Sequence, residues 1–85
     1  LLYGTKILQA VGSQSSQQLF SLEELRDMFG GVSCSMANSV VVAANGDWTA
    51  NECQVTTFCT NTAWHVGFSS TISGPVRINY VAIRF

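Results

Sequence analysis

Along the last third of this chain, hydrophobic and polar positions alternate with a period of two. Trp64, Val66 and Phe68 take turns with His65, Gly67 and Ser69, so a pleated strand here carries three large apolar side chains on one face. Gly74-Pro75 then punctuates the sequence, and the run from Val76 to Phe85 is rich in β-branched and aromatic residues. The two segments predict a C-terminal β-hairpin. In its second arm Val76, Ile78 and Tyr80 alternate with Arg77 and Asn79, after which Val81, Ile83 and Phe85 leave the strand apolar on both sides. Such a strand needs a sheet on one face and further cover on the other. In a short chain another subunit is the readiest source of that cover, so Val81, Ile83 and Phe85 are the expected subunit contacts.

Upstream, Leu1 to Val11 predicts a strand interrupted at Gly4, and Gly12 to Gln18 a Ser/Gln-rich loop or spacer. Ser39 to Ala44 is a short apolar run of the kind covered on both faces. It ends at Asn45-Gly46-Asp47, a turn signal because Asn and Gly both tolerate positive φ. Trp48 and a loop through Glu52 follow. Cys53 to Cys59 predicts a strand with Val55, Thr57 and Cys59 on one face, and Thr60-Asn61-Thr62 a turn into the Trp64 strand.

One helix is expected, over about residues 22–29. Ser21 with Glu24 forms a capping box, and Phe20 with Leu25 a hydrophobic staple. Glu23 and Glu24 suit the positive end of the helix dipole, and Gly30-Gly31 supplies a left-handed stop. Leu22, Leu25, Met28 and Phe29 fall on one side; Glu23, Glu24, Arg26 and Asp27 fall on the other. Two turns of helix do not stand alone in water, so the apolar side must lie on a sheet or a neighbouring chain. Val32 to Asn38 reads as a loop. The fold class is therefore mainly β, a small antiparallel β-sandwich with one short capped α-helix.

Eighty-five residues make a single domain, 1–85, whose core burial only narrowly exceeds chain entropy. The hydrophobic share is 47% and the charged share only 11%, with a net charge of −1. That surface suits packing against copies of the same chain or binding neutral ligands such as sugars; it equally suits a plain secreted or viral β-protein with no ligand. Lys6, Arg26, Arg77 and Arg84 are scattered, so no nucleic-acid footprint is expected. No apolar run reaches bilayer length, so no membrane insertion is expected. The chain begins at Leu1 rather than Met, as would a C-terminal fragment of a longer fibrous protein. Cys34, Cys53 and Cys59 allow at most one internal disulfide, and thiols kept reduced in a cytoplasm are expected.

Candidate chemistry is thin. His65 falls opposite Trp64 in the alternation, with no Ser or Cys at a nucleophile spacing. Glu23 and Glu24 diverge by about 100° around the helix. Gly30-Gly31 ends a helix, where a phosphate loop would begin one. Catalytic residues, metal ligands and cofactors are thus all expected to be none. Asn45, Asp47 and Asn61 in turns could accept sugar hydroxyls and Trp48 could stack on a sugar ring; these four are the candidate ligand-binding residues. Turn capping by the polar residues and packing of the Trp are the structural alternatives.

Read together, Val40-Val41-Val42-Ala43-Ala44-Asn45-Gly46-Asp47-Trp48, Trp64-His65-Val66-Gly67-Phe68 and Ser73-Gly74-Pro75-Val76-Arg77-Ile78-Asn79-Tyr80-Val81-Ala82-Ile83 resemble C-terminal tip domains of bacteriophage tail-fibre and baseplate proteins. The resemblance covers roughly the last half of the chain and rests on strand and turn motifs. It is similar also to the H-type lectin β-sandwich, whose trimers bind N-acetylgalactosamine. In that family the Trp-His pair lies near the turn before the last strand, whereas Trp64-His65 begins the preceding one, so no sugar-binding residue is carried over. The resemblance implies a homotrimer at a fibre tip, a virion protein assembled in bacterial cytoplasm, with a host surface glycan or protein as partner. A purely structural trimerisation module and a generic carbohydrate-binding sandwich are the alternatives. A hydrolase is disfavoured because no carboxylate pair or nucleophile constellation is visible.

Overall fold

A computed structural model describes residues 1–46 and 54–85, and their side chains except those of 10–14 and 70–74. The elements are β1 (Leu2–Ser21), α1 (Leu22–Met28), β2 (Ser39–Asn45), β3 (Val55–Cys59) and β4 (Ala63–Arg84). The 22-residue β4 organises them. Antiparallel β1 runs along one of its edges, from Leu2 opposite Ala82 to Ser21 opposite Ala63. The other edge is shared: β3 pairs with its first part (Val55 opposite Phe68, Cys59 opposite Trp64) and β2 with its last (Asn45 opposite Ile78, Ser39 opposite Arg84).

Two strands of this length cannot lie straight. At ~3.3 Å per residue they would reach about 65–73 Å, while the longest extent of the molecule is 35 Å. The ribbon bends near its middle, where the register shifts between Ala10 and Gln14 and again before Ser16. Bulges of this kind increase twist and turn a strand. The bend folds two three-stranded antiparallel halves, β1–β4–β2 and β1–β4–β3, onto each other as a small sandwich. Leu8, Val41, Val76, Ile78 and Ala82 face inward from the first half; Leu19, Phe20, Trp64, Val66 and Phe68 face inward from the second. The Phe20 ring meets Tyr80 edge-on at 4.8 Å, Thr57 Oγ1 donates to the Val41 carbonyl at 2.6 Å, and Lys6 Nζ donates to the Leu19 carbonyl. A further shift between Gln18 and Phe20 makes Leu19 an extra residue in β1, so both Leu19 and Phe20 are buried.

Two sequence expectations are corrected here. Gly74-Pro75 does not reverse the chain: each arm of the expected hairpin pairs with a different part of β1, and Pro75 lies opposite Gln9 inside continuous β4. Among the described residues, the second edge of β4 is paired only up to Ser69, whose N–H meets the Gln54 carbonyl, and again from Arg77, whose carbonyl accepts from Gly46. The expected spacer at Gly12 to Gln18 likewise belongs to β1. Ser16 and Gln18 are exposed positions within the ladder, opposite Gly67 and His65.

The helix forms as its local signals predict. Ser21 Oγ accepts from the Glu24 N–H at 3.0 Å and Glu24 Oε1 from the Ser21 N–H at 3.1 Å. At the other end Gly31 N–H reaches the Arg26 carbonyl and Gly30 N–H the Asp27 carbonyl, the paired bonds of a Schellman stop. Both glycines have positive φ, 77° and 90°. Leu25 is fully buried, and Glu23, Glu24, Arg26 and Asp27 are exposed.

Candidate functional site

Because residues opposite one another in an antiparallel ladder share a face, the register fixes what each half shows to the outside. In the β1–β4–β2 half, one outward row is Tyr3, Val81 and Val42. The next toward the chain ends places Ile83 beside Val40, with Leu1 continuing the β1 alternation and Phe85 the β4 alternation. Tyr3 is 81% exposed, Val42 54%, Ile83 36% and Phe85 70%. In the other direction the face becomes mixed: Thr5 Oγ1 donates to Asn79 Oδ1 at 2.9 Å, and beyond that pair the exposed Arg77 lies opposite Ile7, itself 55% exposed. A shallow depression of about 190 Å³ runs along Val42, Ala44, Asn79 and Val81.

Val81, Ile83 and Phe85 therefore share one outward face, as their alternation predicts. Tyr3 and Val42 join them there, and sequence reasoning did not single either out. The signal was present in another form: Leu1 to Tyr3 and Val40 to Ala44 are apolar on both sides, as Val81 to Phe85 is, and the fold lays these three stretches side by side. Ser39 to Ala44 is thus not covered on both faces within one chain. Val41 is buried while Val42 points away from the sandwich.

The candidate ligand-binding residues do not come together. Asn45 is half-buried at one end of β2, and the N–H of Gly46, whose φ is not positive, bonds the Arg77 carbonyl. Asn61 is exposed in the turn between β3 and β4, where Thr60 N–H meets the Ala63 carbonyl at 2.8 Å. That turn lies near the opposite end of β2, since Trp64 Nε1 reaches Ser39 Oγ. The seven-residue length of β2, about 20 Å, separates the two. Asp47 and Trp48 lie outside the described residues.

The outer face of the β1–β4–β3 half is different. Phe58 pairs with His65 across the strands, their rings stacked at 5.2 Å and 6°. Gln18 lies opposite His65, and Gly67 lies between Ser16 and Thr56. His65 is thus engaged with an aromatic ring on a polar face. Glu24 is committed to the helix cap, and Arg26 contacts Asp27 at 3.6 Å on the surface. Cys34 and Cys59 are free thiols; burial pushes the Cys59 thiol above its ordinary value, and its Sγ donates to the Thr60 carbonyl. A second depression, about 180 Å³, lies between α1 and the following loop, at Leu22, Glu23, Arg26, Ser33 and Cys34. Among the described residues no group of three or more His, Cys, Asp and Glu could hold a metal ion. No described helix is long and apolar enough to cross a membrane. No protein-family model, curated protein or solved structure matches the chain.

Proposed function

We propose that this chain is a non-enzymatic assembly and contact module, the tip of a homotrimeric bacteriophage tail appendage that meets the host surface. The observation that carries the reading is the outward face bearing Val81, Ile83 and Phe85. It is apolar in a chain with few charges, which suits a protein whose working state is an oligomer. The turns at the sandwich ends, Thr60 to Thr62 among them, are the positions from which a rigid scaffold presents variable contacts to a host glycan or protein. The same face supports a second reading, a trimerisation joint with no ligand of its own.

Binding to host cells or a glycan array separates the two. Under the first reading, Asn61→Ala or Trp48→Ala abolishes binding while the oligomer persists. A chain that assembles but binds neither cells nor glycans refutes host contact and leaves the joint. Release of sugars from host polysaccharide would overturn both in favour of a hydrolase.

A further inference from the structure

We infer that the outer face of the β1–β4–β2 half is where copies of this chain pack, sheet face against sheet face, with Tyr3 and Val42 at its centre. The inference rests on the self-association proposed above and adds the surface that mediates it. Three observations carry it.

The first is area. Leu1, Tyr3, Val42, Ile83 and Phe85 are 79, 81, 54, 36 and 70% exposed. With roughly 150–250 Å² for each fully exposed residue of this size, they present on the order of 600 Å². That is at the upper end of the largest apolar patch found on monomers and approaches the ~800 Å² per partner of a stable interface.

The second is charge. A surface that meets copies of itself brings like residues near one another, and like charges there are penalised. The rows Tyr3–Val81–Val42 and Ile83–Val40 hold no charged side chain; the nearest charged side chain on this face, Arg77, lies beyond the Thr5–Asn79 pair, and the other charges at this patch are the Leu1 ammonium and the Phe85 carboxylate, of opposite sign, at its outer end. A membrane surface would instead favour a cationic rim around the apolar residues.

The third is contrast. The outer face of the other half shows Ser16, Gln18, Thr56, Gly67 and His65 around one aromatic, Phe58. The apolar character is therefore not general to this domain's surface. Among the described residues of the two sheet halves it is concentrated on one outer face, the one that three separate stretches of sequence combine to build.

The test is size-exclusion chromatography with light scattering over 1–100 µM, on the wild-type chain and on Tyr3→Lys, Val42→Lys and Phe58→Lys. All three side chains point out of the sandwich, and circular dichroism and thermal melts check that each variant folds. Wild type is expected as an oligomer of the 9.2 kDa chain. Tyr3→Lys and Val42→Lys are expected to be folded monomers, with dissociation constants raised at least 100-fold, and Phe58→Lys to assemble as wild type does. A wild-type monomer at 100 µM overturns both this inference and the self-association beneath it. An oligomer indifferent to Tyr3→Lys and Val42→Lys, or dissociated by Phe58→Lys, overturns the assigned face while self-association stands.

Discussion

Ser39 is the buried polar residue on which the contact between the two halves can be tested. Its side chain is fully buried, donates to the Ser35 carbonyl and accepts from Trp64 Nε1 at 3.4 Å. It thus ties β2, in one half, to the start of β4 in the other. Ser39→Ala removes a single oxygen and leaves almost no cavity, so the loss is one of hydrogen bonding. The indole bond is long and contributes at the weak end of the range, about 0.5 kcal/mol; the Ser35 bond contributes about 1. Leaving the indole N–H and the Ser35 carbonyl without this partner adds desolvation, partly relieved because Ser35 is only half-buried. A loss of about 2 kcal/mol is expected, a fall in Tm of roughly 8–16 °C for a domain this small. Urea denaturation followed by Trp fluorescence reads it as a lower midpoint at unchanged slope. A double-mutant cycle with Trp64→Phe should return a coupling of about 0.5 kcal/mol. If Ser39→Ala loses less than 0.5 kcal/mol, or the cycle shows no coupling, the two halves do not meet through this residue as described.

Leu25 is the fully buried residue of α1, and Leu25→Ala should lower stability by about 2–5 kcal/mol in urea melts, since the helix has no other deep anchor. Gly4→Ala should destabilise by about 1–3 kcal/mol, because a Cβ there would lie 2.8 Å from Tyr80 Oη and 3.1 Å from Cζ and would push that ring off Phe20; adding Tyr80→Ala should make the Gly4 change nearly neutral. Burial raises the Cys59 thiol above its ordinary 9.0, so the unfolded chain loses this proton first. Stability from this group is complete below that pH and declines as pH rises toward the folded value. The urea midpoint should accordingly fall more between pH 8 and 10 in wild type than in Cys59→Ala.

What could be read from the sequence divides by the range of the interaction. The helix was legible because Ser21, Glu24, Leu25, Gly30 and Gly31 interact within a few residues of one another. The Trp64–Val66–Phe68 face was legible because alternation needs no knowledge of the partner strand. The choice of partner was not legible. Nothing local to Gly74-Pro75 says that the arms on either side pair with the two ends of β1 instead of with each other. Bulges obscured β1 itself, since the extra residue at Leu19 breaks the period of two just where the chain enters the core. Gly4, which looked like an interruption, is a close approach: the Tyr80 phenol lies where a side chain would be.

The same division governs the candidate site. Val81, Ile83 and Phe85 could be picked out because their strand is apolar on the side its own core does not use. Tyr3 and Val42 carry the same excess of apolar surface, but their membership of one patch depends on a register that brings residues from three distant stretches into a row. A core can account for only one face of each strand. When three strands that are apolar on both sides are laid edge to edge, their surplus faces necessarily add up on the outside, and the β1–β4–β3 half, built from the polar stretch around Ser16 and Gln18, shows that this chain can cover a sheet with polar residues. The surplus is therefore a property of the pairing of β1, β4 and β2. It disappears from solvent only if a surface of the same apolar character is brought against it.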